Sequence, residues 1–170
     1  PSKPYMTPDL VVDKLIDIVS KNGNMLLNIP IKADGTLDAE ATTLLQDVGK
    51  WFAVNGEAIY GTRPWYMYGE GRNEIGHHDL ESEMTAKDFR YTTKGDVLYA
   101  FVLDWPTFHR NPVVFPNIVK MNTRISEVAS VQLLGYDDEL TWENHGDGLH
   151  VTFPKEKPCD YAYALKITFK

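Results

Sequence analysis

The chain has 170 residues, of which 43% are hydrophobic and 24% charged, and its formal net charge is -7. This composition is typical of a globular protein of one or two domains. The negative charge argues against a nucleic-acid partner, because phosphate binding favours a basic surface. No apolar run reaches the roughly 18 residues of a membrane span, and a single cysteine, Cys159, excludes an internal disulfide.

The first predicted element is a helix over residues 8 to about 21. Thr7 offers an N-cap oxygen, Pro8 suits the first helical position, and Asp9 favours the positive end of the helix dipole. Apolar residues then recur at helical spacing, and Gly23 is placed to end the helix. Because the sequence begins at Pro1 without Met or a signal peptide, we expect a native start upstream.

A buried strand is predicted over Met25–Ile29, followed by a loop over Pro30–Thr36. The strand does not alternate apolar and polar residues, which is typical of a parallel strand covered on both faces. Asn28 stands near its end, and Asp34 with the following glycine is a turn signal in the loop.

A second helix is predicted from Asp38, which can act as its N-cap, to an end at Asn55-Gly56. Its apolar residues are predicted to lie on one face: Ala41, Leu44, Leu45, Val48, Trp51 and Phe52. A short strand over Ala58–Tyr60 completes this part of the sequence.

Helix, strand, helix and strand in this order are typical of a parallel α/β barrel. We therefore interpret residues 1–68 as the last elements of a (β/α)8-like barrel. They are too few for a closed barrel, which takes about 250 residues. A small open α/β layer packed on the next domain is the alternative.

Residues 69–170 are predicted to form an antiparallel β-sandwich, preceded by a linker over about residues 69–87. Two strand-like runs, Asp88–Thr93 and Val97–Leu103, flank a Lys-Gly-Asp turn, which is typical of a hairpin. Further strands are predicted at Val128–Leu134, Leu140–Glu143, Leu149–Phe153 and Tyr161–Phe169. The proline-rich stretch Pro106–Asn122 is predicted as a long connection or irregular edge segment.

Three acids follow or begin the predicted barrel strands, where barrel enzymes place catalytic groups. Retaining glycoside hydrolysis, for example, needs two carboxyl groups about 5–5.5 Å apart. Asp34 is more simply explained as a turn residue, Asp38 as a helix cap and Glu57 as the residue that begins a strand.

No metal site is predicted. His77 and His78 are adjacent, so on an extended chain they point to opposite faces, and no third ligand has metal-like spacing. They are best explained as part of a solvated linker. Cys159 has no nearby thiol or histidine in the sequence and is expected to be inert.

Aromatic side chains cluster where the two parts join. Trp65, Tyr66 and Tyr68 follow Arg63, and flat rings at such a position either fill a seam between domains or stack on sugars. We expect Arg63, Trp65 and Tyr66 to lie at the domain seam, and Trp105 and Trp142 to pack in a core or seam.

Most of the sequence resembles the C-terminal part of α-L-fucosidases of glycoside hydrolase family 29. The resemblance is strongest in the ranges 19–29, 34–36 and 54–65, and it continues in 68–71, 89–95, 99–100 and 134–136. One departure is Ile29-Pro30-Ile31, where the family commonly has Ile-Gly-Pro.

The resemblance implies a retaining enzyme with a (β/α)8-like barrel followed by a C-terminal β-sandwich. It places the aspartate nucleophile, the acid/base and the sugar-binding histidines upstream of this sequence, so no catalytic residue is expected here. It implies no cofactor, and its partners are the rest of the barrel and a fucosylated glycan. It is compatible with export and with a homo-oligomer.

Asn28 ends the predicted strand, and the loop that carries Asp34 leaves from the barrel face where active sites are built. We therefore expect both near the active-site rim of the complete enzyme, as positioning residues at most. For the chain by itself, two roles remain open. It is either a structural domain that shields the barrel flank or a non-catalytic carbohydrate-binding module.

Overall fold

The computed structural model describes residues 5–75, 83–107, 112–120 and 128–170. Helices α1 (Pro8–Ser20) and α2 (Ala39–Asn55) come first, and a 3-10 turn, Gly56–Ala58, follows α2. The described strands are β1 (Arg63–Glu70), β2 (Phe89–Lys94), β3 (Val97–Val102), β4 (Val113–Phe115), β5 (Val128–Leu133), β6 (Thr141–His145), β7 (Gly148–Thr152) and β8 (Tyr163–Phe169). A short helix, α3 (Pro116–Lys120), lies between β4 and β5.

The strands form two antiparallel sheets. One sheet has the order β1-β2-β3-β8-β5 and the other the order β4-β7-β6. The β2–β3 hairpin pairs Lys94 with Val97, and Gly95 in its turn has φ of 59°. The predictions of this hairpin and of an antiparallel, β-rich second part are confirmed.

The five-stranded sheet is covered on both faces. Along β3, Leu98 and Ala100 belong to a core shared with the three-stranded sheet, while Tyr99 and Phe101 belong to a core shared with the helices. Every residue of β3 after Val97 is therefore buried, because successive side chains point to opposite faces. We call these clusters the sheet core and the helix core.

Both predicted helices form, with the predicted N-caps. Thr7 Oγ1 accepts from the Leu10 amide at 3.3 Å, and Asp38 Oδ1 accepts from the Ala41 amide at 2.7 Å. Leu45, which the sequence groups with the apolar face, is 37% exposed. The buried stripe of α2 has the spacing of one helix face, which Leu45 flanks: Ala41, Leu44, Val48, Trp51 and Asn55.

The two predicted barrel strands are not strands in the structure. Met25–Ile29 has no ladder partner among the described residues, and a strand requires one to satisfy its backbone groups. Ala58 ends the 3-10 turn, and Ile59 and Tyr60 lie in a hydrogen-bonded turn in which the Tyr60 amide donates to Gly56 O at 2.8 Å.

The described residues of the proline-rich stretch Pro106–Asn122 are more regular than predicted. It contains β4, which pairs with β7, and α3, whose Ile118 is buried in the sheet core. Pro116 begins α3, a position where a proline costs no hydrogen bond. The prediction of an irregular connection is wrong for these residues.

Strand β1 contains an irregularity at the edge of the large sheet. Pro64 pairs with Thr92 and Gly69 with Arg90, so four residues of β1 lie opposite the single residue Tyr91. The predicted domain boundary at residue 68 falls inside this strand.

A buried ion pair joins α1 to β2. Arg90 Nε lies 2.6 Å from Asp17 Oδ1, and the other oxygen of Asp17 accepts from Lys21 at 2.9 Å. The Arg90 side chain is 2% exposed, and its Nη1 donates to the Phe89 carbonyl at 2.9 Å. The pair fixes the position of α1 on the sheet.

A second buried acid holds the segment between β1 and β2. Asp88 accepts hydrogen bonds from the amides of Arg72, Asn73 and Thr85 at 2.9–3.1 Å. Gly71 has φ of 126°, and a Cβ there would lie 2.2 Å from Asp88 Oδ1, so no larger residue fits. Burial raises the pKa of Asp88, but the hydrogen bonds from Thr85, Asn73 and Arg72 together lower it below the ordinary value.

We expect Arg90→Met to lower the free energy of unfolding by about 3 kcal/mol, because it leaves a buried carboxylate with one partner fewer. Urea unfolding measures this. Lys50→Met, which removes an exposed pair with Asp47, should change little. Equal stability of Arg90→Met and the parent chain would show that the pair does not hold α1.

We expect Asp88→Asn to be destabilising at pH 7. Because the folded pKa of Asp88 is lowered, the stability that its carboxylate contributes is present above the unfolded value of about 3.9 and is lost as the pH falls through the folded pKa. The difference in urea midpoint between variant and parent should therefore shrink below about pH 4. The exposed-turn variant Asp96→Asn is the control, and a difference independent of pH would contradict the assignment.

Candidate functional site

The segment Asn24–Ile31 lies across the helix core with alternating exposure. Met25, Leu27 and Ile29 are half-buried and pack against the core, whereas Leu26 is 95% exposed. The outward row also carries Asn24 and Asn28. The segment therefore has the side-chain pattern of a strand with one face covered.

Two cavities border this segment. One, of about 680 Å³, is bordered by residues 27–32 together with Tyr5, Asp38 and Leu44. The other, of about 640 Å³, is bordered by residues 23–28 together with Asp17, Lys21 and Ile75. Asn28 lines both cavities, so it is the predicted site residue that the structure places at a concave surface.

Asp34 lies in an exposed turn. Its Oδ1 accepts from the Thr36 hydroxyl at 2.7 Å and from the Thr36 amide at 2.9 Å. The hydroxyl bond, followed by the amide bond, lowers the pKa of Asp34. Asp34 lines neither cavity beside the segment, so the structure does not bring it together with Asn28.

The other two acids have structural partners. Asp38 caps α2 and also accepts from the Tyr5 hydroxyl at 2.9 Å. Glu57 lies 2.5 Å from Lys166 Nζ and accepts from the Tyr99 hydroxyl at 2.7 Å. The Lys166 and Tyr99 contacts lower the pKa of Glu57, and the Ala41 and Tyr5 contacts lower that of Asp38. A general acid needs the opposite shift.

Asp9, which the sequence analysis treats only as a helix-start residue, has a raised pKa in the structure. Burial raises the pKa of Asp9, and the nearby charge of Asp104 adds to the effect. Raised carboxyl pKa values occur at active sites, but Asp9 lines neither of the two cavities beside the segment. Its sequence context gives no signal beyond the helix start.

The predicted seam residues lie on β1 with different exposures. Trp65 is half-buried against the sheet core, with its ring 5.0 Å from that of Tyr91. Tyr66 is 48% exposed and its ring is tilted 56° from that of Trp65. Arg63 is exposed. No described contact tests whether these residues form a seam in a longer protein.

Tyr68 lies next to two cations. Lys21 Nζ is 4.6 Å and Arg90 Cζ 5.5 Å from its ring centroid, and its hydroxyl donates to Glu74 at 3.1 Å. The ring thus lies over the Asp17–Arg90 pair at the C-terminal end of α1. Sequence reasoning missed this cluster because it depends on the packing of α1 on β1.

The remaining residues that the sequence analysis considered are two histidines, one cysteine and two tryptophans. His77 and His78 lie outside the described residues. Burial raises the pKa of the Cys159 thiol, which favours the unreactive form. Trp105 and Trp142 pack against the sheet core, as predicted.

In the part of the chain that the structure describes, no three His, Cys, Asp or Glu residues form a metal-like cluster. No described helix is both long and apolar enough to cross a bilayer.

The described residues therefore form a β-rich domain with two covering helices and an exposed extended segment, in which Asp34, Asp38 and Glu57 each have structural partners. Comparison with family models gives a match of residues 1–57 to α-L-fucosidase and of residues 81–168 to the α-L-fucosidase C-terminal domain. The chain belongs to the α-L-fucosidase family.

The relatives are much longer than this chain. It is 33% identical to an α-L-fucosidase of Branchiostoma floridae over 96% of its own length and 33% of the relative's length. It is 30% identical to human plasma α-L-fucosidase over 96% of its length and 32% of that protein's length. The chain therefore spans about a third of the curated relatives that it matches.

Solved structures give the same result. α-L-Fucosidase isoenzyme 1 from Paenibacillus thiaminolyticus superposes with a TM-score of 0.70 at 30% identity, over 98% of this chain and 35% of that chain. The Thermotoga maritima α-fucosidase gives 0.71 at 26% identity, over 96% and 35%.

We expect Trp65→Ala to lower the free energy of unfolding by roughly 1.5–3 kcal/mol, because half-buried aromatic surface is lost from the sheet core. Tyr66→Ala, on the same strand but more exposed, should cost less. Urea unfolding of this chain measures both. In the complete enzyme the fucose inhibition constant should stay unchanged, and a large rise with unchanged stability would assign Trp65 to the sugar site.

Proposed function

We propose that this chain is the C-terminal part of a retaining α-L-fucosidase and that by itself it is structural rather than catalytic. In this proposal residues 1–68 end the catalytic (β/α)8-like barrel, and residues 69–170 form its β-sandwich, with the linker at about 69–87. The observation that carries its first part is the match of residues 1–57 and 81–168 to the two α-L-fucosidase family models. The second part is supported by the structural partners of Asp34, Asp38 and Glu57, which are Thr36, the Ala41 amide and Tyr99.

The exposed segment supports the barrel part of the proposal. Leu26 and Ile31, 95% and 68% exposed, both lie on this segment, as expected if a larger barrel packs against it. A covering barrel would also place Asn28 near the active-site rim, because active sites of such barrels lie where strands end and loops begin. Asn28 would there position substrate or neighbouring groups. Asp34 would follow on the rim loop, with a turn-forming role.

The partners follow from the same proposal. The larger part of the catalytic barrel is the protein partner, and a terminal α-L-fucose on a glycoconjugate is the substrate of the complete enzyme. The proposal is compatible with export, as in the family, and with a homo-oligomer, which light scattering measures. No cofactor enters the proposed chemistry, which needs two carboxyl groups.

A carbohydrate-binding module is the alternative role, and the exposed aromatic residues bear on it. Tyr60, Tyr66 and Tyr68 are 40–63% exposed, but they occupy a turn and an irregular edge strand rather than one sheet face. Trp65 and Tyr66 are not coplanar. These positions favour the structural role.

We expect the purified chain not to hydrolyse 4-nitrophenyl α-L-fucoside. Loss of one essential catalytic residue typically costs several orders of magnitude, and in this proposal both lie elsewhere. The release of nitrophenol over hours measures this, with Asp34→Asn and Glu57→Gln as matched variants. Turnover by the parent chain that either variant abolishes would contradict the proposal.

A further inference from the structure

The hairpin of β6 and β7 carries two histidines on its outer face. Its register pairs Glu143 with His150 and His145 with Gly148. Residues that pair across two strands point to the same face, and successive residues point to opposite faces. Because Leu149 is buried in the sheet core, its neighbour His150 lies on the outer face, together with Glu143 and His145.

The two imidazole rings lie side by side on this face. Their centroids are 4.3 Å apart and their planes are tilted by 39°. The histidines are diagonal neighbours across the hairpin, a separation that ring side chains can span. Gly148 has no side chain, so none stands directly opposite His145. A Cβ at Gly148 would lie 2.6 Å from the Phe115 carbonyl oxygen, so the packing of β7 requires glycine there.

A carboxylate orients each ring. His145 Nε2 lies 2.9 Å from Glu143 Oε2, and His150 Nε2 lies 2.9 Å from Asp147 Oδ1. An ionised carboxylate can only accept, so both Nε2 atoms donate in these bonds. The bond from His150 lowers the pKa of Asp147, which keeps this acceptor ionised. In the neutral form of each ring, the lone pair is therefore on Nδ1.

This arrangement is typical of histidines that bind a metal. A ligating histidine almost always donates its other N–H to a carboxylate, a carbonyl or water, which fixes the tautomer and the direction of the ring. In the described part of the chain, every hydrogen bond of these two rings uses Nε2. The side chains of His145 and His150 are 47% and 20% exposed, so ions in solution reach them.

The spacing of the rings favours a copper ion. Imidazole is a ligand for Cu²⁺, Zn²⁺ and Ni²⁺, whereas Mg²⁺ and Ca²⁺ prefer oxygen. With metal–nitrogen bonds of about 2.0 Å, two imidazoles at neighbouring corners of a tetragonal Cu²⁺ ion have ring centroids about 4.5 Å apart, and at a tetrahedral ion about 5 Å. The observed separation of 4.3 Å is closer to the first arrangement.

We propose that Nδ1 of His145 and Nδ1 of His150 together bind one divalent transition-metal ion, Cu²⁺ more tightly than Zn²⁺, with water completing the coordination. Two protein ligands are fewer than the three or four of catalytic and structural zinc sites. This number agrees with the absence of a group of three His, Cys, Asp or Glu residues among those that the structure describes. The ion would link β6 to β7 and exchange with the solvent, and it takes no part in glycoside hydrolysis.

The test uses the full chain in a background without other soft ligands. The sequence has three further histidines and one cysteine, which are replaced as His77→Ala, His78→Ala, His109→Ala and Cys159→Ser. Titration of this background with CuCl₂ should show one ion per chain, with an electron paramagnetic resonance spectrum of two nitrogen ligands. ZnCl₂ should bind about 10-fold or more weakly. Competition by MgCl₂ at the same concentration would assign the site to the carboxylates and overturn the proposal.

Nitrogen NMR identifies the ligand atoms. In the background chain labelled with ¹⁵N-histidine, ZnCl₂ should shift the Nδ1 resonances of both rings and leave both Nε2–H groups bonded to their carboxylates. A shift of one ring alone would overturn the shared site. A shift at Nε2 in place of Nδ1 would overturn the choice of ligand atoms.

Matched variants test the histidines and the carboxylates separately. His145→Ala and His150→Ala should each weaken Cu²⁺ binding about 100-fold, because the second nitrogen binds within the same molecule. Glu143→Gln should weaken it about 10-fold, as expected for an outer-shell partner. Thr141→Ala, an exposed residue of the same strand, is the control and should change nothing.

These variants also give the results that would contradict the site. Full affinity of either histidine variant, with the fold of the chain confirmed by urea unfolding, would overturn the proposal. Full affinity of Glu143→Gln together with Asp147→Asn would overturn the role of the carboxylates in directing Nδ1 to the ion.

Discussion

The burial of the five-stranded sheet on both faces is the constraint on which the rest of the structure depends. Its central strand, β3, sends Leu98 and Ala100 into one core and Tyr99 and Phe101 into the other. Neither the helices nor the three-stranded sheet can be removed without exposing one of these faces. The helices therefore act structurally as a cover for the sheet, whatever their origin in a larger fold.

Specific polar contacts fix how this cover is placed. Trp51 Nε1 donates to the Ala162 carbonyl at 2.7 Å, which ties α2 to the chain just before β8, and the Asp17–Arg90 pair ties α1 to β2. Asn55 adds a buried amide that accepts from the Ala164 backbone at 3.3 Å. Apolar burial supplies most of the driving force, and these directional contacts select one orientation of the helices.

The two helices and the segment between them pack one face on the five-stranded sheet, and their other face points away from it. The helix core packs the inward row of Asn24–Ile31, and the outward row stays exposed around Leu26. The same segment therefore joins the β-rich domain, through its covered face, to whatever occupies its open face.

The sequence by itself determined the local elements: both helices with their caps, the hairpin at Gly95 and most strands of the second part, because capping residues, turn glycines and periodicity act over a few neighbouring residues. It also indicated that Asp34 is a turn residue.

Tertiary structure decided the features that depend on partners distant in the sequence. Met25–Ile29 is extended but has no ladder partner among the residues that the structure describes, and Leu45 is partly exposed. Strand β4 and helix α3 form within a proline-rich stretch because they pack on β7 and the sheet core. The Arg90 and Asp88 contacts had no sequence signal, since buried charges find partners through packing rather than through spacing along the chain.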